Sequence, residues 1–398
     1  MKRRESDLVS NRKCHGHQPR MAIIPQFEQY HIMAKILFLA NDYSTLYQFR
    51  RELIKLLIER GDEVFLSSPD HKEMGFFTEQ GCMFIPTKVE RRGFNPVSDL
   101  QLLRSYKKII KDVLPDIIFS YTIKPNVYGS LANRNSHIRQ VCNITGTGAT
   151  FLKPGPLATI CKILYKISIP HAYKVFFQNT KDRDFFVANK MVGKNYEVIP
   201  GSGCNLETHP YLPLPQGDEI NFIFIGRVMK LKGIDEYLAC AKVVKEKYPN
   251  ANFLIAGWNE QEEYMKKVEE AERNGYVKYL GYRKDIDKII ETCHCTVLCS
   301  HGGEGMPNVI LESAAMGRIC ITTNTNGAED AVDDGITGFI YPKGEAEALT
   351  ERVIKVINLS EEDKAKMGKA GRIKMEREVY RKLVTNKYLK EIELAHEV

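Results

Sequence analysis

Asn221-Phe-Ile-Phe-Ile-Gly226-Arg227-Val-Met-Lys-Leu-Lys232-Gly233 joins an uninterrupted apolar run to a turn with cations at both ends. A run of this kind, bounded by glycine, reads as a strand buried on both faces, as in parallel sheets. A helix is expected from about Gly233. Strand, turn and helix in this order suit a diphosphate: glycine permits close approach, backbone N–H groups and the helix dipole favour anions, and Arg227 and Lys232 neutralise charge. A solvated basic turn is the plainer alternative.

Outward from this stretch the same alternation repeats. Downstream apolar runs fall at Asn252 to Ala256, Val277 to Gly281, Cys295 to Ser300, Ile319 to Thr323 and Gly338 to Tyr341. Upstream, a first series begins at Met33 and runs through Lys35 to Ala40, Glu63 to Ser68, Ile117 to Ser120, Gln140 to Ile144, Lys174 to Asn179 and Tyr196 to Pro200, with helices near Leu46 to Arg60 and Leu100 to Val113. The Pro-rich stretch Tyr211 to Asp218 separates the two series. The 398 residues thus divide into an extension (1–32), a first doubly wound α/β domain (33–210), a linker (211–220), a second (221–375) and a terminal helix (376–398) expected to cross back to the first. Ligands of such sheets bind at the strand C-terminal ends, which places the site in the cleft between the domains.

Charge is unevenly spread within the net +7. Residues 33–217 hold 24 basic and 16 acidic side chains, residues 218–398 hold 27 and 31. The basic first half suits an anionic surface or a phosphate-bearing substrate, and no recognition motif or basic stripe points to nucleic acid. The segments 100–111 and 151–166 mix apolar residues with Lys and Arg, which fits either a core helix with a solvated face or a surface resting on anionic lipid. No window approaches the roughly 20 apolar residues of a membrane span and no signal peptide is evident, so a cytoplasmic protein, peripheral on the inner face of the plasma membrane, is expected. The ten cysteines include no Cys-x-x-Cys pair, and Cys293, Cys295 and Cys299 read as buried strand and not as metal ligands.

The second informative stretch is Ser300-His-Gly-Gly-Glu304-Gly-Met-Pro307-Asn308-Val-Ile-Leu-Glu312-Ser-Ala-Ala-Met-Gly317, a Gly-rich loop entering a helix near Pro307. Together, Gly226-Arg227-x4-Lys232-Gly233 and Glu304-x7-Glu312 resemble the family 4 retaining glycosyltransferases of GT-B fold, two Rossmann-like domains facing across a nucleotide-sugar cleft. Gly281-Tyr282-Arg283 is similar to the family's loop beside the nucleotide base. The resemblance implies that Arg227 and Lys232 hold the donor diphosphate, that Glu304 contacts the donor sugar, with Gly305 and Met306 beside it, and that Glu312 accepts from the ribose. It also implies nucleotide-sugar contacts from Gly226, Val309 and Arg283. No metal or other cofactor is implied. The triplets Asp182-Arg-Asp184 and Asp285-Ile-Asp287 read as helix starts, where acidic residues complement the dipole.

Tyr121-Thr-Ile-Lys124-Pro-Asn126 and Asn143-Ile-Thr145-Gly146-Thr-Gly148 resemble, less specifically, the subgroup that extends lipid-linked sugars in bacterial polysaccharide or glycoprotein assembly. Asn41, Lys124, Asn126 and Thr145 become acceptor-side candidates. The family's early Gly-Gly turn is replaced by Asn41-Asp42-Tyr43-Ser44, and its His-Gly by Thr145-Gly146. The implied partners are a UDP-sugar donor, a polyprenyl-diphosphate-linked acceptor and an anionic membrane. A UDP-sugar 2-epimerase and a non-catalytic nucleotide-sugar binder on the same fold are the alternatives. A dinucleotide oxidoreductase is excluded, since neither half opens with Gly-x-Gly-x-x-Gly. Deleting residues 1–32, which carry no periodic apolar face, is expected to leave activity and melting temperature nearly unchanged, measured by turnover and calorimetry.

Overall fold

The computed structural model describes residues 33–90 and 93–396; the extension expected over 1–32 lies outside them. Thirteen strands form two all-parallel sheets. The first holds β1 (Lys35–Leu39), β2 (Glu63–Ser68), β3 (Met83–Pro86), β4 (Ile117–Tyr121), β5 (Arg139–Ile144), β6 (Lys174–Phe177) and β7 (Tyr196–Val198), ordered 3-2-1-4-5-6-7. The second holds β8 (Ile220–Ile225), β9 (Ala251–Ala256), β10 (Lys278–Tyr279), β11 (Cys295–Leu298), β12 (Ile319–Thr323) and β13 (Gly338–Tyr341), ordered 10-9-8-11-12-13. Strand order reverses between β1 and β4, where Phe38 pairs with Phe119, and between β8 and β11, where Phe222 pairs with Cys295. These reversals are the crevices in which doubly wound sheets take ligands.

Apolar packing covers both faces of each sheet. On one face of the first, Leu37, Ile118, Val175 and Phe177 meet the helices Pro96–Val113, Ile123–Asn133 and Pro156–Ser168. On the other, Ile36, Phe38, Phe119 and Phe176 pack against the helix Tyr43–Glu59 and against Val384, Tyr388 and Ile392 of the helix Arg381–His396. The chain's last helix is therefore part of the first sheet's core. The Arg50 guanidinium lies between the Tyr121 and Tyr388 rings, 4.9 and 5.1 Å from their centroids, a buried cation–π sandwich that pins this return helix.

Several elements differ from the sequence reading. The first helix starts at Tyr43 instead of Leu46 because the Asp42 side chain accepts the Ser44 N–H and caps it, so the replaced Gly-Gly turn has become a helix cap. The edge strand β3 and the helix Ile123–Asn133 were not expected; the latter is buried nearly all round, with Val127, Tyr128 and Ala132 mixed among Asn126, Gly129, Ser130 and Asn133, and shows little apolar period. The return helix begins at Arg381 and not Glu376. A π-turn, Met375–Val379, precedes it, and Cys204 takes the flanking backbone bonds, donating its N–H to Val379 O (2.8 Å) and accepting from Arg381 N (2.9 Å).

The linker is tied to the second domain. Arg318, with no exposed surface, donates to the carbonyls of Leu212, Pro213 (2.9 Å), Cys293 (3.2 Å) and Met316 (2.9 Å). Removing it strands several buried carbonyls at once, each costing roughly 1–3 kcal/mol. Arg318→Leu is expected to destabilise the chain by about 3 kcal/mol or more, read as a lowered urea midpoint.

Candidate active site

Both glycine-rich turns identified in the sequence sit at strand C-terminal ends in the second half. After β8, a single 3-10 turn over Lys230–Lys232 leads into the helix Ile234–Lys247 through Gly233, whose φ is +73°. A Cβ there would stand 2.0 Å from the Cys299 carbonyl oxygen, so only glycine brings Lys232 against the loop after β11. Across that contact Lys232 and Glu304 form an ion pair, and the Ser300 hydroxyl donates to the same carboxylate oxygen at 2.9 Å. Burial on its own pushes the Glu304 carboxyl up; Lys232, Ser300 and Arg227 outweigh it and hold the group below the ordinary carboxylate range. Arg227 stands 3.6 Å from Glu260. Gly226 donates its N–H to Ala256 O at 2.9 Å, which aligns the ends of β8 and β9.

The first half closes on this loop through one backbone bond and one side-chain bond. Gly148 N–H donates to Gly303 O at 2.9 Å, and the Asn179 amide donates to Gly305 O at 3.0 Å. A Cβ at Gly146 (φ +113°) would lie 2.6 Å from both Gly303 O and Gly305 N. Met306 packs on Gly201, and Val309 lines the adjoining core. Thr145 lies at this seam beside Gly305. Asn41, half-buried, follows β1 at the same sheet edge.

Glu312 lies in the helix Asn308–Ala315, near His209. Burial raises its carboxyl above the ordinary range, only partly countered by His209 and Arg381. His209 donates Nδ1–H to Asn205 O (2.8 Å) and sets Nε2 3.2 Å from Asp287. Burial alone would depress this imidazole, but Asp287 and the other polar neighbours raise it, favouring the cation.

One acceptor-side candidate is corrected, and a second is paired within the first half. Asn126 has no exposed surface: its amide donates to Asn143 O and accepts from the Ser120 hydroxyl, both at 2.8 Å, so it braces β4 against β5 and touches no substrate. Lys124 is largely buried in an ion pair with Asp99 at 2.8 Å. Arg283 forms a two-pronged pair with Asp285 on an exposed loop (2.7 and 2.8 Å) and makes no contact with Lys232 or Glu304. Neither Asp-x-Asp triplet converges: Asp182 accepts from the Asn179 and Asn326 amides, Asp184 pairs with Arg183, and Asp287 faces His209. Among the described residues no group of three or more His, Cys, Asp or Glu is placed to hold a metal ion.

Motif spacing did not mark three further features. His301 Nε2 is 2.8 Å from Glu236, and His209 meets Asp287, pairs separated by scores of residues. Trp258 and Tyr282 end neighbouring strands, stay exposed and pack edge-on at 5.8 Å; Trp258 O accepts from Val228 N, beside Arg227.

Two parallel α/β units meeting at a cleft, with cations and a held carboxylate at helix starts, define the GT-B class of sugar-transferring enzymes. Residues 35–179 match Glycosyl transferase 4-like and residues 212–374 match Glycosyl transferases group 1. The chain is 26% identical over 376 residues, 89% of its length and 97% of the relative's, to the N,N'-diacetylbacillosaminyl-diphospho-undecaprenol alpha-1,3-N-acetylgalactosaminyltransferase of Campylobacter jejuni. It is 25% identical over 293 residues, 69% of its length and 74% of the relative's, to the UDP-Gal:alpha-D-GlcNAc-diphosphoundecaprenol alpha-1,3-galactosyltransferase of Escherichia coli. The crystal structure of Anabaena HepE in complex with UDP and glucose superposes with a TM-score of 0.74 at 16% identity, over 90% of this chain and 99% of that one. The chain belongs to the glycosyltransferases, its first half of the glycosyl transferase 4-like type and its second of group 1.

Lys232→Ala and Glu304→Ala are each expected to cut turnover about 10²- to 10³-fold, the loss typical for one preorganised group facing developing charge. Glu312→Ala should weaken UDP binding more than it slows chemistry, since a ribose contact is similar in ground and transition states. Steady-state kinetics with UDP titration calorimetry check all three.

Proposed function

We propose that the chain moves a hexose or N-acetylhexosamine from a UDP-sugar, with retention of anomeric configuration, to a saccharide carried on a polyprenyl diphosphate at the inner face of the plasma membrane. The observation that carries this reading is the Lys232–Glu304 pair held between two helix starts in the cleft. Breaking a glycosyl-phosphate bond builds negative charge on the departing diphosphate. Cations fixed in advance stabilise that charge most in the transition state. Lys232 and Arg227 serve the leaving group, while Glu304, kept ionised by Lys232, orients the sugar hydroxyls. The names of the Campylobacter and Escherichia relatives support the lipid-linked acceptor, and the UDP and glucose bound in the Anabaena protein support the donor. A metal-independent reaction fits the two acidic triplets, whose carboxylates are committed to amides, Arg183, Arg283 and His209.

Membrane attachment is supported by one face of the first half. The helix Pro156–Ser168 exposes Leu157, Ile160, Ile163 and Ile167, spaced so that they form a single stripe, with Lys153 and Lys166 exposed beside it. The helix Pro96–Val113 on the same face of the sheet exposes Lys107, Lys108 and Lys111. An aliphatic stripe flanked by cations matches an anionic lipid interface. No helix among the described residues is long and apolar enough to cross a membrane.

Incubating the purified protein with a panel of UDP-sugars and lipid-linked saccharides, with product mass and anomeric configuration read out, tests the activity. Chelator should leave the rate unchanged. Isomerised sugar from donor alone would favour the epimerase reading, and UDP binding without turnover the non-catalytic one. Trp258, the chain's sole tryptophan, should report UDP binding through its fluorescence. Cosedimentation with anionic vesicles is expected at low salt and should fall as ionic strength rises; insensitivity to charge reversal at Lys107, Lys111 and Lys166 would count against the membrane claim.

A further inference from the structure

A cavity opens between the two halves beside the glycine contacts. Phe151, Leu152 and Phe185 form its apolar wall, and the two phenyl rings meet edge-on 5.5 Å apart. His301, Asn324 and Lys343 form the polar wall facing them. Asp182 also lines the cavity, but its carboxylate is already satisfied by the Asn179 and Asn326 amides, so it shapes the cavity without offering free acceptors. His301 follows Ser300, the residue that holds Glu304, which places the cavity next to the sugar end of the donor site. Glu236 engages His301 Nε2 and leaves Nδ1 for a ligand. One wall of ring carbons opposite one of imidazole, amide and ammonium is what a sugar requires, since its ring presents apolar C–H faces and a polar rim.

A second observation concerns access. Phe151 ends the short turn Ala149–Phe151, and the helix bearing the exposed stripe Leu157, Ile160, Ile163 and Ile167 begins at Pro156. The cavity wall and the aliphatic stripe therefore lie on one short stretch of chain. A substrate with a lipid tail and a sugar head would meet both together.

We propose that this cavity seats the terminal sugar ring of the lipid-linked acceptor, with its C–H face on Phe151 and Phe185, its hydroxyls on His301 and Asn324, and Lys343 toward its diphosphate; this rests on the acceptor class proposed above. Phe151→Ala, His301→Ala and Lys343→Ala separate the possibilities, with GlcNAc-diphosphoundecaprenol and diacetylbacillosaminyl-diphosphoundecaprenol as acceptor probes, acceptor KM and UDP Kd as readouts, and melting temperature to confirm folding. Phe151→Ala and His301→Ala are expected to raise acceptor KM about tenfold, equivalent to about 1.4 kcal/mol, with UDP Kd unchanged. Lys343→Ala should raise KM for these acceptors but not for a simple glycoside lacking the diphosphate. If the enzyme turns over and acceptor KM stays at the wild-type value in all three variants, or UDP Kd rises in step with it, the cavity assignment is overturned while the transferase reading stands. A folded wild-type protein that binds UDP yet uses no lipid-linked saccharide overturns the acceptor class and this assignment with it.

Discussion

The two halves meet at their closest point glycine to glycine. A Cβ at Gly146, Gly303 or Gly305 would strike backbone across the gap, and the Gly148 N–H donates directly to Gly303 O. Everything else in the cleft is positioned relative to that seam. The Gly303–Gly305 loop carries Glu304 and, on either side, Ser300 and the start of the helix Asn308–Ala315. Holding its peptides from across the cleft holds the carboxylate as well. A side-chain contact could adjust through rotamers. A peptide-to-peptide contact has almost no such freedom, so the distance between the halves and the geometry of the site are one quantity.

Electrostatics complete what the seam begins. Lys232 and Glu304 are brought together from the C-terminal ends of the neighbouring strands β8 and β11, and the cation holds the Glu304 carboxyl below the ordinary range despite its burial. Their pairing keeps a cation and an anion ready in the site proposed to take a diphosphate and a neutral sugar. Around Glu312 the balance differs: burial dominates there, and His209 with Asp287 forms a separate polar group beside it.

How much of this was legible in the sequence follows from the range of the signals. The buried strands announce themselves as apolar runs, because a parallel sheet covered on both faces needs no polar alternation; β1, β4, β8, β9, β11 and β12 all do so. The two turn motifs stand out because the chemistry needs glycine and charge at short, fixed spacing. Asn126 was misread for the opposite reason: a buried amide bonded to β4 and β5 looks, in sequence, like any exposed polar residue of a motif. The helix around it lacks a distinct apolar stripe, since it is buried nearly all round and small and amide residues alternate there with Val127 and Tyr128. His301 with Glu236, and His209 with Asp287, are contacts between distant segments that leave no local trace. Asp42 shows how one side chain sets a boundary: by accepting the Ser44 N–H it starts the first helix at Tyr43, ahead of the apolar period that begins at Leu46.

The return helix gives the molecule an unusual order of assembly. Val384, Tyr388 and Ile392 fill the core of the first sheet, although the entire second sheet intervenes in the chain. During synthesis, therefore, the second half can bury its own apolar surface before the first half finishes burying its own. The earlier-made sheet must wait with one face partly uncovered, exposed to solvent and to chaperones, until residues 384 to 392 emerge and Tyr388 closes over Arg50. Completion of the first half thus reports that the whole second half has already been made.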